Sequence, residues 1–278
     1  MSGTVPAASI VSMVLTGICV CALPFILFVY FKRKKGADVL PFFVGWGVFF
    51  LFALVIESLL HNVFLVWLPI GKTILGNIWL YAVYGGLMAG LFEETGRFVA
   101  FSTVLKKRQN KDVNALMYGA GHGGFEAIMM VGVTYLGNLV FAVLINANQT
   151  AILTAGQPAE VVRQIETVLR QLIENPAWTY PLALCERIFA IAVHIGLSVL
   201  VWFAAKKSDQ RYLYPVAILL HAATDAIVVL LAQGAGWPAL AVEGAVALAA
   251  GGILLIARAV WKRNTKTDSN ENEQEAAA

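Results

Sequence analysis

Nine residues carry the chemistry this sequence can do. Glu93, Glu94 and Arg97 stand in Leu91-Phe92-Glu93-Glu94-Thr95-Gly96-Arg97, three charges inside an otherwise apolar run. His122 is followed at i+4 by Glu126, His194 by Ser198, and His221 by Asp225. Residues four apart share a helix face, so each pair presents two polar groups together. A charge near the middle of a bilayer costs at least about 2.5–3.5 kcal/mol by insertion scales, so ionisable groups there usually mark a site.

Paired carboxylates beside several imidazoles suit water activation. A glutamate in a low-dielectric site can act as a general base, and imidazoles aimed at the same place polarise water or steady an oxyanion. The same set can ligate zinc, with Glu93, His122, His194 and His221 as donors. No His-Glu-x-x-His run is present, so a metal centre and a metal-free glutamate centre both stay open.

The elements that must position these groups are transmembrane helices. Of 278 residues, 59% are hydrophobic and 13% charged, about half the charged share of a soluble domain. Mean hydropathy is +0.73. The apolar runs are continuous and not alternating, which excludes a β-barrel and leaves helices to satisfy the backbone in lipid. The expected fold is all-α: a polytopic bundle forming one domain over 1–263, with a disordered polar tail over 264–278. It is expected to be a multi-pass protein of the bacterial plasma membrane whose first helix is retained.

Seven spans are expected, near 10–31, 39–60, 78–104, 113–145, 178–205, 212–233 and 238–261, with a loop or re-entrant stretch around His61, Trp67, Pro69 and Lys72. Basic residues fall in alternate connections: Lys32-Arg33-Lys34-Lys35, then Lys106 to Lys111, Lys206 to Arg211, and Arg258 to Lys266. The intervening connections hold only Lys72, Arg163 and Arg170. The positive-inside rule then gives an outer N-terminus and an inner C-terminus. The 146–177 connection is expected to be an amphipathic helix that lies on the interface or caps the bundle.

Counting inward from the basic residues at about 1.5 Å per residue puts Glu93 about 20 Å deep, His122 about 17 Å, His194 about 18 Å and His221 about 15 Å. Four helices thus set their polar groups in one layer. Glu57 and Glu243 lie nearer the outside, and Glu186-Arg187 is expected to be structural. Cys19, Cys21 and Cys185 lie in apolar runs and form no framework.

These motifs, in order, resemble those of the YhfC family of membrane peptidases: Glu93-Glu94-Thr95-Gly96-Arg97, Gly121-His122-Gly123-Gly124-Phe125-Glu126-Ala127, His194 to Ser198, and His221-Ala222-Ala223-Thr224-Asp225. That family is related to the type II CAAX prenyl endopeptidases, the CPBP bacteriocin-processing proteases and the PrsW proteases. The resemblance implies an intramembrane endopeptidase. Glu93 would be the water-activating glutamate with Glu94 in support, His122 would share the water, and His221 and Asp225 would stand where the CAAX enzymes have histidine and asparagine. Arg97 would anchor the first motif, and His194 follows the YhfC pattern.

Two departures stand out. Two residues separate the glutamate pair from Arg97 where the CAAX enzymes have three. Asp225 replaces an asparagine, and an ionised aspartate repels an oxyanion unless it is protonated or serves to orient His221. The implied partners are membrane lipid and a membrane-associated protein or peptide, and no feature reads nucleic acid. A proton- or metal-coupled transporter and a non-catalytic membrane scaffold are the rival readings.

Overall fold

In the computed structural model, residues 3–277 are described, with side chains through Thr265. The protein is all-helical, with no strand among the described residues. The helices are α1 (Ala7–Lys35), α2 (Leu40–Trp67), α3 (Ile78–Ser102), α4 (Val113–Asn146), α5 (Ala159–Glu174), α6 (Tyr180–Lys206), α7 (Leu213–Val229) and α8 (Ala239–Ala277). The polar tail expected to stay unfolded falls, beyond Thr265, outside the residues whose side chains are described.

Among the described residues, six helices are long and apolar enough to cross a membrane, namely α1, α2, α4, α6, α7 and α8. The seventh expected span is α3. Its 25 residues reach about 37 Å, but Glu93, Glu94 and Arg97 lower its hydropathy. Polar contacts set its C-terminal end beside the ends of its neighbours. Asp38, between α1 and α2, binds Arg108 and Lys111, between α3 and α4, at 3.2 and 2.9 Å. Asp112 in that same connection binds Lys206 at the end of α6 at 2.9 Å. The chain therefore leaves this end along α2 and returns along α3, and the basic connections share one end.

The second span is longer than expected. The stretch read as a loop after Leu60 is helical to Trp67, because wide π-helical turns over Phe49–Glu57 and Asn62–Trp67 absorb residues without breaking the helix. Another wide segment, Ile128–Val133, divides the 34-residue α4. Such turns are rare and concentrate at functional sites. Asn77 starts α3 by accepting from the backbone N–H groups of Trp79 and Leu80 at 2.9 and 3.2 Å, a strong N-cap.

Packing groups the chain into two compact units. One comprises 1–23 and 127–187. Its core joins Val5, Met13, Ala142, Ile145, Leu169, Leu172 and Tyr180, so the apolar face of α5 is packed against protein as a cap. The other unit, 24–126 and 188–278, contains Glu93, Glu94, Arg97, His122, Glu126, His194, His221 and Asp225. It is built around α6, whose apolar window is 67% buried while no other span exceeds 22%. Trp202, Phe203, Leu200 and Leu197 of α6 pack with Phe101 and Tyr118. Trp202 donates its indole N–H to Asp112 at 2.8 Å.

Glycines allow the helices that hold the site to touch. A Cβ on Gly86 would stand 2.3 Å from the Ala222 carbonyl oxygen, and one on Gly90 2.6 Å from that of Ile218, so α3 and α7 meet backbone to backbone. In α4, Gly119 and Gly123 do the same against Ile195 and Ile191 of α6.

Candidate active site in the helix bundle

Glu93, Glu94, Arg97, His122, Glu126, His194, His221 and Asp225 converge. They come from α3, α4, α6 and α7, and all but Glu126 and Asp225 are buried. The imidazole rings form a row, with centroids of His122 and His194 4.9 Å apart and those of His194 and His221 5.2 Å apart.

The two neighbouring glutamates do different things. Glu94 is fully buried and grips the Arg97 guanidinium through both oxygens. Its Oε1 also accepts from His221 Nδ1 at 2.8 Å. Both carboxylate oxygens are thereby engaged, and His221 is held with Nε2 turned toward the site, 3.5 Å from Asp225 Oδ2. Glu93 instead contacts His122 Nε2 through Oε2 at 2.8 Å and lies 4.0 Å from His194 Nδ1.

Arg97 sets the tautomer of His194. A guanidinium only donates, so its Nη2 bond of 3.0 Å makes His194 Nδ1 the acceptor. The proton then sits on Nε2, 2.6 Å from Glu126 Oε2. Arg97 also lies over the Tyr118 ring, 5.9 Å from its centroid. The His122 ring stands edge-on to Phe49 and face-on to Tyr118 at 5.4 and 5.8 Å, so its orientation is fixed by packing.

Ser198 plays no part in this network. Its hydroxyl donates to the His194 carbonyl one turn back at 2.6 Å. Its i,i+4 spacing from His194 thus serves the helix backbone and not the imidazole. Glu57 also proves to be buried. It meets His61, which in turn meets Tyr84; the pair was missed because His61 fell in a stretch that read as loop, and the Glu57–His61 spacing of four was the signal available.

A metal would fit these residues once His194 Nδ1 exchanges the Arg97 hydrogen bond for the ion. Among the described residues, Glu93, His194 and His221 offer ligand atoms within 4.8 Å of one another. Two imidazoles and a carboxylate are the donors of an open catalytic zinc site. Glu94 on His221 supplies the outer carboxylate that such a ligand normally needs.

Comparison with known proteins gives the chain's family. A Bacillus subtilis (strain 168) relative, described as uncharacterized membrane protein YhfC, is 38% identical over 242 residues, 87% of this chain and 92% of that protein. No solved structure gives a significant match. The profile described as YhfC intramembrane metalloprotease matches residues 19–246, a range that contains every residue of the site. This chain therefore belongs to the YhfC intramembrane metalloprotease family.

Proposed function

We propose that this protein is an intramembrane endopeptidase that hydrolyses a peptide bond of a membrane-associated protein or peptide, with its basic connections on the cytoplasmic side. The observation that carries the reading is the buried group of Glu93, His194 and His221, oriented by Glu94 and Arg97 and set in a family described as metalloproteases.

Glu93, His221 and His194, its Nδ1 released by Arg97, would hold a divalent ion such as zinc, which when bound supplies Lewis acidity to carbonyl and water oxygens. Glu94 keeps the His221 proton on Nδ1 and leaves Nε2 available as a donor atom. His122 fixes the Glu93 carboxylate at 2.8 Å. Glu126, beside His194 and more open than Glu93 at 17% against 9% side-chain exposure, would take the proton of the attacking water and return it to the departing amine. Arg97 balances Glu94, so the carboxylates do not all repel one another.

The His122–Glu93 contact favours one second reading, in which Glu93 is itself the base in a metal-free centre. Metal content and proteolysis of protein purified without chelator separate the two. The metal reading expects about one ion per chain, and a Glu126→Gln variant that keeps the ion and does not cleave. Cleavage by metal-free protein supports the glutamate reading. Glu93→Gln is inactive under either. Wild-type-like cleavage by folded Glu93→Gln, or solute flux in proteoliposomes with no hydrolysis, would sink the peptidase reading.

A further inference from the structure

A second polar group lies on the side of the site away from the basic connections. On α2, His61 Nε2 is 3.1 Å from Glu57 Oε1, and His61 Nδ1 is 3.0 Å from the Tyr84 hydroxyl on α3. Both ring nitrogens are engaged. The pattern closes if Nε2–H donates to the carboxylate and the phenol donates to Nδ1. Tyr84 precedes Glu93 by nine residues, about 14 Å along the helix.

Exposure changes along this chain. The His61 side chain is 33% exposed and that of Glu57 10%. Glu57 in turn is within electrostatic range of Glu93, His221 and Asp225. Asp225, 42% exposed, stands one turn from His221 on α7. The single α-helical turn Ser58–His61 lies between two π-helical stretches. An i,i+4 contact needs that ordinary turn, and the wide turns on each side set which way it faces. None of these groups is used in holding the Glu93, His194 and His221 cluster.

Peptide hydrolysis inside a membrane needs water to arrive and protons to move. We propose that Glu57, His61 and Tyr84 form a wetted proton path between the buried site and the end of the bundle opposite the basic connections. Glu57 is its inner relay. When Glu57 is protonated, its O–H donates to Nε2 of the other His61 tautomer, whose Nδ1–H faces the Tyr84 oxygen. The proton moves to Nε2 as Nδ1 releases its own toward Tyr84 or water. That leaves the Nε2–H form, and tautomer exchange resets the ring for the next proton. Glu57 acts through water and touches no reacting atom, so it is a relay and not a catalytic residue. This rests on the peptidase reading for its use, but not for its existence.

Two measurements on the full-length protein test it. In a background where Cys19, Cys21 and Cys185 are serine, His61→Cys and Tyr84→Cys should react with a charged methanethiosulfonate at least tenfold faster than Leu59→Cys, which lies on exposed apolar surface of the same turn. Equal, slow reaction at all three overturns the wetted path. In the cleavage assay, Glu57→Gln should lower kcat about tenfold or more with KM unchanged, and Glu57→Ala should regain rate in acetate buffer. A Glu57→Gln protein with wild-type kcat overturns the relay. If the wild-type protein cleaves nothing, the peptidase reading fails, and the thiol reactions still decide whether the path is wet.

Discussion

Glu94 and His221, 127 positions apart, share a 2.8 Å hydrogen bond from imidazole Nδ1 to carboxylate Oε1. That bond ties α3 to α7 at the level of the site. It also explains why two adjacent glutamates are needed, since the one that orients His221 and neutralises Arg97 has no oxygen left for chemistry.

Removing Glu94 should therefore damage the fold, and removing the Glu93 charge should not. Glu94→Ala leaves a fully buried guanidinium unpaired, and breaking one partner of a buried pair typically costs about 3–5 kcal/mol. Glu93→Gln keeps the shape and loses the carboxylate that would hold the ion or, in the metal-free reading, act as base. Thermal unfolding in detergent should show a large drop in Tm for Glu94→Ala and a small change for Glu93→Gln, while cleavage falls in both.

Metal content should sort the histidines. His194→Ala and His221→Ala each remove a donor, so bound zinc should fall below detection. His122→Ala removes only the partner of Glu93, and loss of an outer partner usually weakens affinity about 10–100-fold. Elemental analysis of the three variants during chelator titration reads the difference. Equal retention by all three would place the ion elsewhere.

Helix contact at Gly86 should be intolerant of a single methyl. A Cβ there meets the Ala222 carbonyl at 2.3 Å, whereas one on neighbouring Gly85 meets nothing within 4 Å. Gly86→Ala must push α7 away and carry His221 with it, with overpacking of about 1–3 kcal/mol. Gly85→Ala should match the wild type in both Tm and cleavage.

Outside the membrane, Asp38 supplies a pH-dependent tie. The hydrogen bond from Lys111, with those from Asn114 and Arg108, pulls its carboxyl down from 3.8 to about 2 despite some desolvation. A lowered folded-state pKa means the stabilisation is present above the unfolded value and is lost as pH falls from about 4 to about 2. The Tm gap between wild type and Asp38→Asn should be small at pH 7, as expected for a partly exposed pair. It should shrink with salt and close toward pH 2.

The residue sequence determined the membrane class, because continuous apolar runs leave the backbone no partner but a helix. Basic residues in alternate connections, with polar groups at one depth from them, made the layer of acids and imidazoles legible before any fold was known. Depth along a helix is a one-dimensional quantity, and counting 1.5 Å per residue recovers it. Rotation about the helix axis and choice of partner are not. The i,i+4 rule paired His194 with Ser198, but the fold gives that hydroxyl to a backbone carbonyl and turns His194 toward Arg97 and Glu126. Only the packing of α3 against its neighbours separated Glu94, bound to Arg97 and His221, from Glu93, which faces His122 and His194. The wide turns of α2, which no periodicity announces, brought Glu57 and His61 into line with Tyr84.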